Sequence, residues 1–109
     1  MSNRVINVKR NDRVPSVFAT LLSGVTPIDL TGSTVKFIMR QRGGAAVKVN
    51  AAAVVVSATA GTVRYDWGAT DTDTAGLYDA EFEITTAVSK KYTCPNARHL
   101  EVLVFEDLA

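Results

Sequence analysis

The sequence predicts an all-β protein folded as an antiparallel two-sheet β-sandwich of about eight strands. Period-two alternation of apolar and polar residues runs along most of the chain, while helical periodicity is hard to find. β-Branched and aromatic residues recur between turn signals at sandwich spacing. A length of 109 residues suits one core between two layers. Residues 1–109 are therefore expected to form a single domain, opened by a short basic arm and edge strand over 1–13.

The first strand is expected at about Val5 to Arg10, with Ile6 and Val8 facing one way. A second, about Val17 to Ser23, is entered through Pro15 and ended by Gly24. Thr26 to Ser33 contains Pro27 and Gly32, which interrupt a ladder, and is expected to be a crossover. Thr34 to Gln41 alternates cleanly: Val35, Phe37 and Met39 share one face, and Lys36, Ile38 and Arg40 the other. Gly43-Gly44 marks a hairpin turn. Val47 to Ser57 carries alanines that also suit a helix, but Val54-Val55-Val56 and the flanking Gly61 favour a strand.

Gly61 then opens Thr62 to Trp67, where Val63, Tyr65 and Trp67 share a face. After the polar turn Thr70 to Gly76, the strand Leu77 to Thr86 sets Tyr78, Ala80, Phe82 and Ile84 against Asp79, Glu81 and Glu83. One face of that strand must be wet, because three carboxylates on a dry face would be very costly. Short strands at Lys90 to Cys94 and Leu100 to Phe105 finish the chain. The expected core is Phe37, Met39, Val63, Tyr65, Trp67, Phe82 and Ile84.

Composition narrows the function classes. The formal net charge is +1, which gives no reason to expect nucleic acid as a partner, since phosphate binding needs a concentrated basic surface. The longest apolar stretch, Ala51 to Val56, is too short to span a bilayer, so no membrane partner is expected. The N-terminus carries no apolar segment of the signal-peptide kind, which points to synthesis in a cytoplasm. A single cysteine, Cys94, leaves no intramolecular disulfide.

Reaction chemistry finds little to work with. Cys94 and His99 lie five residues apart across an expected turn, with no third group to orient them, so neither a catalytic residue nor an enzyme is expected. Asp71 and Asp73 are weak calcium candidates. Their spacing lacks the glycine and terminal glutamate of an EF-hand loop, and short Asp and Thr side chains more often serve turns. Glu81 and Glu83 share one solvated strand face, without the apolar pocket that glycoside hydrolysis needs. No cofactor is implied. Trp67 is in phase with Val63 and Tyr65, which favours a core position over a sugar-stacking platform. Arg4, Lys9, Arg10 and Arg13 are read mainly as a solvated arm whose charge protects an edge strand, and as possible contacts to a neighbouring subunit.

Gly76-Leu77-Tyr78-Asp79-Ala80 fits the tyrosine corner of an immunoglobulin-like sandwich, in which the hydroxyl bonds back to the backbone upstream. Tyr78 and Gly76 are thus structural candidates. The run from Tyr65 through the Asp71-Thr72-Asp73-Thr74-Ala75-Gly76 segment to Glu83 also resembles the immunoglobulin-like N-terminal domain of phage baseplate upper proteins. Thr31 to Arg40, the Gly61, Val63, Tyr65, Trp67 spacing, Cys94-Pro95-Asn96 and Leu100 to Phe105 carry the same resemblance, which covers nearly all of the chain after about Arg13.

The resemblance implies a bacteriophage virion structural protein, made in the host bacterial cytoplasm and placed in the tail or baseplate, the neck, or on the capsid. Its partners would be other phage structural proteins, with copies of itself in a homo-oligomer or symmetric array. The residues leave a second reading open: an adhesin-like module binding sugar or protein on a host surface through an exposed aromatic platform.

Overall fold

The computed structural model describes residues 5–13, 16–23, 25–44, 46–94 and 100–106. Among them the strands are β1 (Val5–Lys9), β2 (Val17–Thr20), β3 (Leu22–Ser23), β4 (Thr26–Pro27), β5 (Thr34–Gln41), β6 (Val47–Ala52), β7 (Val54–Ser57), β8 (Thr62–Tyr65), β9 (Gly76–Thr85), β10 (Lys91–Cys94) and β11 (Leu100–Phe105). A larger sheet runs β1-β11-β9-β5-β6. β5 pairs with β9 over the full length of β5, while β11 and β10 share the other edge of β9. A smaller sheet runs β2-β8-β7, and β3 and β4 form a short ladder of their own.

The alternation anticipated for β5 and β9 is realised. Val35, Phe37 and Met39 face Ala80, Phe82 and Ile84 within one inner layer, and all six are buried. Phe37 is the hub of the core and joins the sheets. Its ring stacks on Tyr65 of β8 at 4.5 Å, meets Trp67 edge-on at 5.8 Å and touches Phe82 at 5.2 Å. These are the preferred offset and T-shaped aromatic geometries.

The expected all-β sandwich is realised, with four differences of detail. The sandwich is not wholly antiparallel, because β1 runs parallel to β11. No hairpin ties these two strands, which stand at opposite ends of the sequence, so the free edge of β11 takes β1 in either direction. There are more than about eight strands, because two long runs break. Val17 to Ser23 divides at Leu21, which donates to the Gly61 carbonyl and accepts from the Ile28 amide. Val47 to Ser57 divides at Ala53, whose amide bonds to Val35; β6 stays on β5 and β7 crosses to β8. A strand that changes sheets in this way turns a corner of the sandwich.

The expected crossover from Thr26 contains β4, whose Pro27 sits opposite Leu22 on a two-residue ladder. The strand read as Thr62 to Trp67 ends at Tyr65, yet Trp67 is only 1 % exposed.

Among the described residues, Gly61 is the glycine that backbone packing demands. Its φ is +69°, and a Cβ there would lie 2.7 Å from the Ile28 carbonyl oxygen and 2.9 Å from that of Leu21. Both are backbone atoms that cannot swing aside.

Candidate assembly surfaces

The loop between β8 and β9 is fastened from several directions. The Asp71 carboxylate accepts a hydrogen bond from the Tyr65 hydroxyl and another, 2.6 Å long, from the Gly68 amide. Burial, and then this carboxylate, hold the Tyr65 phenol well above its ordinary pKa, because ionisation would place two anions together. Thr72, 1 % exposed, donates to the Asp12 carbonyl at 2.8 Å, while its own carbonyl accepts from the Asn11 amide at 2.8 Å. Asp73 pairs with Lys48 at 2.5 Å, and that bond together with Thr74 lowers its pKa. The Tyr78 hydroxyl donates to the Thr74 carbonyl at 2.7 Å. Gly76, at φ +149°, opens β9 where a Cβ would lie 2.9 Å from Gln41 Nε2.

The two calcium candidates are thus engaged elsewhere, Asp71 by a hydroxyl and an amide and Asp73 by an ammonium. Among the described residues no three His, Cys, Asp or Glu side chains gather where a metal ion could sit. All seven expected core residues are buried. His99 and Arg4 lie outside the described residues, and Cys94 is described only through its backbone in β10.

The basic segment divides in its use. Lys9 is exposed on the edge strand β1. Arg10 approaches Glu106 at 3.8 Å. Arg13 donates from Nε to the Trp67 carbonyl at 3.0 Å, so it fastens the β8–β9 loop. Sequence reasoning treated Arg13 only as a charge and missed Thr72 altogether. A buried threonine in a polar turn carries no local signal, because its partner Asp12 is 60 residues away.

Two faces remain for contacts. On the smaller sheet Phe18, Val54 and Val56 are exposed around Arg64, which pairs with Asp66 at 2.9 Å. Exposed apolar clusters of this kind mark interaction sites in soluble proteins. The outer face of the larger sheet is charged. Lys36 and Arg40 stand on β5 beside Asp79, Glu81 and Glu83 on β9. Arg42 reaches Asp79 at 2.6 Å and Glu101 at 3.2 Å, and these two carboxylates raise its pKa.

The family model of the BppU N-terminal domain matches residues 2–96. The chain belongs to that family. The match begins further toward the N-terminus than Arg13 and stops before β11, although β11 lies inside the larger sheet. Among solved structures, the N-terminal domain of phage TP901-1 ORF48 is similar in fold. It has a TM-score of 0.71 and 17% sequence identity, with 96% of this chain and 90% of that one covered. No curated protein matches at a significant level. The BppU N-terminal domain is a phage structural baseplate domain and not a known enzyme class, so this chain is a virion component with a structural role in the phage tail or baseplate.

Proposed function

We propose that this BppU N-terminal domain acts in several copies, as a rigid block that contacts other structural proteins of the particle and copies of itself. Family membership carries the reading, and the geometry supports it. A β8–β9 loop tied to β1's continuation, to Lys48 and to Tyr78 holds one end of the sandwich stiff. A stiff block docks with little ordering cost. β1, β2, β6 and β7 end their sheets on one side, and edge strands are natural points of attachment.

The host-surface reading required an exposed aromatic platform near Trp67. That ring is buried against Phe37 and Tyr65, so nothing there could stack on a sugar.

The deciding experiment is mass spectrometry and electron microscopy of purified particles. The expected result is density for this domain at several symmetry-related positions of the tail or baseplate. Particles complete and infectious without the chain would overturn the proposal.

A further inference from the structure

We infer that the outer face of the larger sheet is a self-complementary surface. On it a second copy of this chain packs about a two-fold axis, with Arg40 of each copy against Glu81 of the other. The inference deepens the multi-copy reading above and rests on it for the high local concentration that a weak contact needs.

The charge pattern carries it. Strand register sets Lys36 opposite Glu83 and Arg40 opposite Asp79. Cross-strand pairs of opposite charge normally satisfy each other. Here they do not. Asp79 is taken by Arg42, which also holds Glu101. Glu83 is approached from the other side by Lys91 at 3.9 Å. Glu81 faces Ile38 across β5, and among the described residues it has no cation opposite. Lys36, Arg40 and Glu81 consequently form no ion pair with any described residue. A basic strip therefore lies directly beside an acidic one, each with charge left over.

A two-fold axis running between β5 and β9 lays the basic strip of one copy on the acidic strip of the other, and does so twice; Arg40, set over Asp79 by the register, then reaches diagonally by one residue pair to Glu81. That is an isologous contact, in which one patch is its own complement. Sheets also pack face to face at a small angle without distortion. A face five strands wide and about six residues long covers on the order of 500 Å² in projection. Two such faces suit a weak, concentration-dependent dimer rather than an obligate one. A net charge of +1 leaves little long-range repulsion to oppose it.

Sedimentation of the full chain at about 1 mM in low salt tests this, with dimer expected and weakened at high salt. Arg40→Glu and Glu81→Arg should each weaken self-association about tenfold, since each reversal acts at two symmetric contacts. Mixing the two variants in equal amounts should restore dimer, because each then offers the charge the other lacks. Neither side chain is in the core, and unchanged melting temperatures would show that folding is intact. A parent chain that stays monomeric, reversals without effect, or a mixture that fails to recover would each overturn the inference. A monomeric chain still found in purified particles would sink this face alone and leave the structural role standing.

Discussion

Replacing Tyr65 by Phe isolates one interaction in the β8–β9 loop. The ring, 4 % exposed and stacked on Phe37, keeps its place, so no cavity opens and the aromatic packing persists. What disappears is the hydroxyl that donates to the Asp71 carboxylate. A hydrogen bond to a charged group contributes about 1.5–3 kcal/mol. Asp71 is half-buried and keeps its bond from the Gly68 amide, so the lower part of that range applies, about 2 kcal/mol.

For a chain of this size, that loss corresponds to a melting temperature lower by roughly 8 °C. The pH dependence gives a second readout. The folded-state pKa of Tyr65 is raised above the ordinary value of 10.0. Between those two values the unfolded chain has lost a proton that the folded one keeps. The stabilisation is therefore complete below pH 10 and declines as pH rises beyond it. Tyr65→Phe should make that alkaline decline shallower, without abolishing it, because the buried Tyr78 is raised in the same direction. The assay is thermal unfolding followed by circular dichroism between pH 7 and about pH 11. A variant melting within about 2 °C of the parent, with an unchanged alkaline slope, would refute the assignment of Tyr65 and Asp71 as a coupled pair.

Phe37→Ala removes the ring that joins the two sheets and should cost about 3–5 kcal/mol, measured by urea denaturation at constant m. Against a total stability of about 5–15 kcal/mol, that leaves a marginal fold. Gly61→Ala should destabilise by at least about 1–3 kcal/mol despite adding only a methyl group, since its Cβ meets two carbonyl oxygens at a positive φ. A melting temperature equal to the parent's would mean that the Leu21, Ile28 and Gly61 backbones are not packed as described. Asp29, Asp66 and Asp73 all have pKa values lowered from 3.8, by Thr31, by Ser16 and Arg64, and by Lys48 and Thr74 respectively. Their stabilisation is complete above pH 3.8 and is lost as pH falls through the lowered values. The melting temperature should thus hold steady from neutrality to about pH 4 and fall below it, with a smaller fall in Lys48→Gln.

What the sequence by itself determined is local. Alternation in Thr34–Gln41 and Gly76–Thr85 set which side chains face inward, because successive residues of a strand point to opposite sides. The spacing that led to Val63, Tyr65 and Trp67 likewise led to three buried side chains, even though the strand ends before the last of them. Family membership was also legible in these residues, through the segment from Tyr65 to Glu83. Tertiary structure alone decided everything that joins distant parts of the chain. It broke Val47–Ser57 at Ala53, whose amide is still held by the Val35 carbonyl on β5 before β7 leaves to pair with β8 on the second sheet. It paired β1 with β11 in parallel, turned Arg13 from a solvated charge into a fastening for Trp67, and diverted Asp79 from Arg40 to Arg42. Alternation states which face a residue occupies and is silent about which partner waits there. That choice belongs to loop closure and to competition among charges, and neither is written at the spacing of a single strand.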